Sequence, residues 1–130
     1  MSQPLLKWDE ETFDPARYLA SKNGSIRPAY TTSLGALFAN DCMAVLPHIQ
    51  DAVVDTVFAD PPFNLGKEYG KNTDDRKSER AYIEWCYEWL MECTRILKPG
   101  GALFVYNLPK WNVLLGVLTS VPLLLQGRHL

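Results

Sequence analysis

Apolar residues in this chain fall into short unbroken runs and one long stretch at helical spacing. The run Val53-Val54-Asp55-Thr56-Val57-Phe58-Ala59 is β-branched, apolar and bounded by punctuation, which predicts a strand. So apolar a run fits a strand buried on both faces, as in a parallel sheet covered by helices. Ala102 to Tyr106 predicts a second buried strand and Leu34 to Ala39 a shorter one. From Ser78 to Leu97 the residues Ile83, Cys86, Leu90, Cys93 and Leu97 recur at three- and four-residue steps, predicting a helix that Ser78 caps. Glu84, Glu88 and Glu92 line its solvated face, and Arg95 and Lys98 suit the negative end of its dipole. Trp85 and Trp89, a turn apart, read as a second packing surface rather than a base-stacking platform. Lys98-Pro99-Gly100-Gly101 ends this helix, and Pro109 begins another through about Leu118.

The remainder is less periodic. Residues 1–33, broken by Pro4, Pro15, Gly24 and Pro28, form a lead-in segment with one short helix near Pro15 to Ser21. Asn40 and Asp41 give an N-cap signal for a short helix from Cys42 to Leu46 that stops near Pro47. Asn64 to Arg80 is polar, with both charge signs and two glycines. A loop so long in a compact domain is either a solvated segment or one that closes over a substrate.

Strand, helix, strand, long loop, helix, strand, helix is the alternation of an α/β fold. The expected architecture over residues 34–130 is a mostly parallel sheet with helices on both faces. Sites in such sheets lie outside the carboxyl ends of the strands.

Composition narrows the function. The 130 residues allow one domain at most, and 47% apolar content is enough for a core. A net charge of −2 gives no basic footprint of a self-sufficient nucleic-acid binder. DNA stays open as a substrate, because phosphate contacts can reside in a separate region. Cys42, Cys86 and Cys93 show no CxxC spacing and no paired His, so no metal site is expected. Cys86 and Cys93 are separated by about 10 Å along one helix, too far for a disulfide, so reduced thiols are expected. Lys7, Asp9, Glu10 and Glu11 exclude a signal peptide at the start. The longest apolar stretch, Val113 to Leu125, is too short to span a bilayer and is broken by Gly116 and Pro122. No membrane association and a cytoplasmic location are expected.

The candidate chemistry sits where the best strand stops, at Asp60-Pro61-Pro62-Phe63. The bland reading is a proline-rich turn. The functional one starts from what the residues offer. Pro61 contributes a carbonyl and no N–H, so the Asp60 carboxylate and that carbonyl can converge on both hydrogens of one amino group. Phe63 offers a flat face for a planar ring, worth about 1–3 kcal/mol for a nucleobase. An acceptor pair beside a stacking face describes a pocket for an exocyclic amine on a heteroaromatic ring.

The stretch from Asn40-Asp41-Cys42 through Asp60-Pro61-Pro62-Phe63-Asn64-Leu65-Gly66-Lys67, followed by Leu97-Lys98-Pro99-Gly100-Gly101, closely resembles the amino-group DNA methyltransferases, which methylate adenine N6 or cytosine N4. The resemblance covers about residues 34 to 112. The Pro-Pro-aromatic motif is its specific part, and Lys-Pro-Gly-Gly the weaker one. It implies a Rossmann-like fold, S-adenosyl-L-methionine (AdoMet) as cofactor, and double-stranded DNA as partner, with the target base flipped out. Asp60 and the Pro61 carbonyl would hold the target amine, Pro62 would complete the rigid turn, and Phe63 would stack on the base. Asp60 would also border the cofactor, as would Asp41, for which helix capping is the competing role. Asp at the first motif position leans toward adenine N6, since Ser is commoner in the cytosine-N4 enzymes.

The family pattern is incomplete here. A glycine-rich cofactor loop of the Phe-x-Gly-x-Gly type is missing, and no Gly-x-Gly occurs anywhere. In permuted family members, whose Pro-Pro motif is N-terminal, that loop comes late. The apolar tail through Leu123-Leu124-Leu125 suggests a truncated polypeptide or half of a split enzyme, completed by a further segment or chain. Competing functions are a non-catalytic remnant without a cofactor site and a methyltransferase acting on RNA or protein.

Overall fold

A computed structural model describes residues 13–19, 26–65 and 77–116, and these form a mixed α/β arrangement. Strands β1 (Tyr30–Thr32) and β2 (Gly35–Leu37) make an antiparallel hairpin. Helix α1 (Cys42–Val45) continues into a 3-10 turn at Leu46–His48. Strand β3 (Val54–Ala59), helix α2 (Glu79–Ile96) and strand β4 (Leu97–Val105) follow, and residues 109–116 are helical (α3).

Helix α2 forms as its spacing predicts. Ser78 Oγ accepts from Ala81 N at 3.2 Å, and Arg95 stands in the last turn. Its buried face is Tyr82, Cys86, Trp89, Leu90, Cys93 and Ile96. Trp89 is thus part of the main core, and Tyr82 joins it. This face meets Trp111 and Leu115 of α3, with Val57, Ala59, Leu103 and Val105 of the sheet packed against the cluster.

Strands β3 and β4 pair in parallel, Thr56 with Ala102 through Ala59 with Val105, with α2 as the crossover between them. Lower down, Val54 pairs with Leu97, so Lys98 through Gly101 bulge out opposite the single residue Asp55. The Lys-Pro-Gly-Gly stretch therefore does more than end a helix that already stops at Ile96. It is a bulge that sets the strand register. Gly100 has φ +81°, and a Cβ on Gly101 would lie 2.9 Å from the carbonyl oxygens of Asp55 and Lys98. Lys98 Nζ closes the bulge with an ion pair to Asp55 Oδ1 at 2.8 Å.

Three expectations need correction. The sheet is covered on one face only among the described residues: Phe58 is 70% and Phe104 55% exposed, side by side on the other face. Among the described residues neither burial of β3 on both faces nor helices on both faces is observed. The strand expected at Leu34–Ala39 forms only as Gly35–Leu37, because Ser33 and Leu34 make the turn of a hairpin. Its other arm, Tyr30–Thr32, lies in the stretch read as a lead-in. The hairpin is also separate from the β3–β4 pair. The helix expected near Pro15 to Ser21 is a 3-10 turn at Pro15–Arg17. Segment 13–19 is anchored all the same: Gln50 N bonds Tyr18 O at 2.9 Å, and Gln50 Nε2 bonds Leu19 O at 3.0 Å. Arg95 adds a second tie across the fold, donating to the carbonyls of Ile49 and Leu46 and to the carboxylates of Asp51 and Glu92.

The described cysteines are free thiols, Cys42 exposed and Cys86 and Cys93 buried. Burial pushes both buried thiols up to about 11, with Cys42 and Glu92 adding to the effect at Cys93. In the unfolded chain they would ionise near 9.0. The folded state therefore holds these protons more tightly, and this stabilisation, whole below pH 9, is lost as pH rises toward 11. Its ceiling is about 2–3 kcal/mol per thiol. Urea midpoints measured from pH 8 to 11 should fall more steeply for the unmodified chain than for a Cys86→Ala/Cys93→Ala variant. Parallel slopes would mean the thiols are not held as described.

Candidate active site

Strand β3 delivers the Asp60-Pro61-Pro62-Phe63 turn at its carboxyl end, beside the end of β4. The Tyr106 N–H bonds Ala59 O at 2.9 Å, which holds the two strand ends level. Beyond that point the turn leaves the sheet and its carbonyls need other partners. Tyr82 Oη donates to Pro62 O at 2.6 Å, and Trp111 Nε1 donates to Phe63 O at 3.0 Å. Both donors are buried core side chains. Asn107 Nδ2 donates to Tyr82 Oη at 2.9 Å, while Asn107 Oδ1 accepts from Leu108 N at 2.8 Å. This bond orients Asn107 at the start of α3, where Pro109 is the first helical residue. Lys110 lies over the Trp111 ring, 4.5 Å from its centroid, and pairs with Glu79 at the start of α2.

The next residue is clasped as well. Asn64 takes a left-handed conformation, φ 56°, which asparagine tolerates better than most residues. Its Nδ2 donates to Lys77 O and its Oδ1 accepts from Lys77 N, both at 2.8 Å. Residues 66–76 of the long polar loop lie outside the described residues.

What these tethers leave open defines the site. Asp60 is exposed, and among the described residues nothing donates to its carboxylate or to the Pro61 carbonyl. The two acceptors assigned to an amine are thus both without an internal partner among the described residues. Phe63 is half-buried and touches Tyr106, ring centroids 5.7 Å apart and planes tilted by 55°.

Asp41 is placed elsewhere. It caps α1, with Oδ1 accepting from Met43 N at 2.8 Å, and no hydrogen bond joins it to the tetrapeptide. It follows the β1–β2 hairpin rather than a strand beside β3, because β2 pairs only with β1. Burial, with the Asp41 charge as a smaller contribution, raises the neighbouring Cys42 thiol. The capping role is therefore observed. Asp41 and Asp60, the two carboxylates expected to border a cofactor, are joined by no hydrogen bond among the described residues. The apolar cavity of about 370 Å³, lined by Phe13, Tyr18, Phe38, Ile49, Val53 and Thr56 among others, adjoins the other end of β3. Among the described residues no cluster of His, Cys, Asp and Glu could hold a metal ion, and no helix is long and apolar enough to cross a membrane.

Tyr82, Asn107, Trp111 and Tyr106 did not emerge from the sequence as site residues. Tyr82, Trp111 and Tyr106 reach the turn from 20 or more residues away, Asn107 acts on it through Tyr82, and no local spacing relates them to it. A usable signal was the appearance of Tyr and Trp, aromatics with a polar tip, on faces that otherwise read as core. Such tips find a partner when buried.

Part of the chain is similar to known proteins. Residues 54–113 match the family model described as DNA methylase. Over 90 residues the chain is 51% identical to the type II methyltransferase M.BamHI of Bacillus amyloliquefaciens, covering 69% of this chain and 21% of that protein. It is 39% identical over 70 residues to the type II methyltransferase M.HpaI of Haemophilus parainfluenzae, 54% of this chain and 22% of that one. It is likewise 39% identical over 67 residues to the DNA adenine methyltransferase YhdJ of Escherichia coli K12, 52% of this chain and 22% of that one. The chain thus spans about a fifth of the length of these relatives. The stretch that builds the sheet, the crossover helix and the Asp60 turn belongs to the N6/N4 amino-group DNA methylase family.

Proposed function

We propose that this chain supplies the amine-binding side of a site that transfers a methyl group from AdoMet to an exocyclic amino group of a flipped base in double-stranded DNA. The observation that carries this reading is the open acceptor pair, Asp60 carboxylate and Pro61 carbonyl, beside the Phe63 ring. The following two carbonyls, of Pro62 and Phe63, are already taken by Tyr82 and Trp111.

In this reading the target amine gives one N–H to Asp60 and the other to the Pro61 carbonyl. With both hydrogens held, the nitrogen lone pair turns out of ring conjugation and becomes available as a nucleophile. Positive charge develops on that nitrogen as the new bond forms, and the Asp60 carboxylate stabilises it from a fixed position. Phe63 stacks on the ring and limits its orientation. AdoMet, the general methyl donor of this family, would supply the methyl group as its methyl–sulfur bond breaks and S-adenosylhomocysteine leaves, and the surplus proton on the methylated nitrogen would pass to Asp60 or to solvent. Asp41 is kept as a candidate contact on its side, with only Oδ1 used by the cap. The base is adenine at N6 first, on Asp60 and on the similarity to the DNA adenine methyltransferase YhdJ, with cytosine N4 as the other amine of the same geometry.

A second reading is a chain with an amine pocket and no cofactor site of its own, active only with further polypeptide. It is favoured by the lack of any Gly-x-Gly in the sequence. Equilibrium dialysis of labelled AdoMet against the purified chain separates the two, since retention supports the first. Transfer of tritiated methyl to unmethylated duplex DNA, with RNA and protein as competitors, then tests the substrate. Label released as N6-methyladenine is the expected result. Label found only in RNA or protein would overturn the DNA assignment.

A further inference from the structure

We propose that Tyr106 is a second base-contacting residue, forming with Phe63 a corner into which a nucleobase docks. This rests on the reading of Asp60 and Pro61 as the amine-binding pair, and it assigns a contact on the neighbouring strand. Tyr106 follows directly on β4, and its N–H is bonded to Ala59 O, one residue before Asp60. Tyr106 is 62% exposed. Among the described residues its hydroxyl has no hydrogen-bond partner.

A tyrosine that served only to pack Phe63 would be expected to bury its ring and satisfy its hydroxyl. This one does neither. Phe63 and Tyr106 touch at 5.7 Å with a tilt of 55°. That separation leaves no room for a base between the rings, because a stacked layer needs about 3.5 Å on each side. The tilt instead makes two walls of a corner. A base lying on the free face of one ring meets the other at its edge, within reach of the acceptors of Asp60 and Pro61. The ligand class is a planar nitrogen heterocycle carrying an exocyclic amine.

Fluorescence anisotropy of the 130-residue chain with labelled single-stranded oligonucleotides tests this. The oligonucleotides differ at one central position, which is adenine, purine without the amino group, or an abasic tetrahydrofuran. The unmodified chain should prefer a base over the abasic site. Tyr106→Ala should lower that preference about tenfold, within the range for one stacking contact. Tyr106→Leu, which keeps apolar bulk against Phe63, should lose most of it too, whereas Tyr106→Phe should retain it. An unchanged base-over-abasic ratio in Tyr106→Ala, or no such ratio in the unmodified chain, would overturn the proposal. Retention in Tyr106→Leu would also overturn it, by showing that Tyr106 only supports Phe63. Asp60→Ala should erase the preference for adenine over purine and spare the base-over-abasic ratio. If adenine and purine bind alike in the unmodified chain, the amine reading fails while the Tyr106 contact stands on its own ratio.

Discussion

Asp60→Ala should lower methyl transfer to DNA by about 10²–10³-fold, the loss typical when one fixed polar group facing developing charge is removed. The measurement is initial rates of tritium incorporation in a preparation competent for transfer. Two features make the effect large. The carboxylate has no internal partner among the described residues, so no other interaction compensates its loss. The Pro61 carbonyl remains and can hold one amine hydrogen, but it carries no full charge. Stability should change by less than about 0.5 kcal/mol, as for most exposed positions. Asp60→Asn keeps an acceptor and removes the charge, so its rate should lie between the two. Rates near the unmodified value in Asp60→Ala would refute the assigned role, whatever the DNA specificity proves to be.

The sequence made some of this legible for identifiable reasons. Helix α2 is long and amphipathic, with a capping serine, and its boundaries follow from local signals. The end of β3 was legible because a proline pair cannot continue a strand in a sheet interior. One-sided burial was not. Val57 and Ala59 face the core while Phe58 faces outward, yet all three are apolar, so the alternation that would reveal an open face is missing. The β1 arm was missed because Tyr30–Thr32 is exposed throughout and has no buried face to impose a pattern. The Lys98–Gly101 bulge needed the partner strand to be visible, since a register shift is a property of two segments. At the site, the acceptor pair could be read from the chemistry of Asp and Pro alone. The donors that hold the rest of the turn come from α2 and α3, and only the packing of those helices brings them there.

Those donors set the second large effect, at Tyr82. It is 2% exposed, packs against Trp111 with ring centroids 4.7 Å apart and planes tilted by 50°, and links Asn107 to Pro62 through one hydroxyl. Tyr82→Ala should cost about 3–5 kcal/mol, the usual range for deleting a buried aromatic ring. In a small domain with few kilocalories to spare, that approaches global unfolding. Tyr82→Phe separates packing from tethering. The ring and its contact with Trp111 remain, but Pro62 O and Asn107 Nδ2 lose their shared partner in a partly buried place. The expected cost is about 1–3 kcal/mol from the unsatisfied groups, read from urea denaturation. The two variants bracket the contribution of the hydroxyl, and an Asn107→Ala/Tyr82→Phe double-mutant cycle measures their coupling. Strong coupling would mean that α3, through Asn107, sets the position of the turn that carries Asp60 and Pro61. Additive losses would mean that Tyr82 holds the turn without it. The position of the Pro61 carbonyl follows from that of Pro62, the next link in the chain. Tyr82→Phe should therefore also reduce discrimination between adenine and purine, a readout that packing alone would not move.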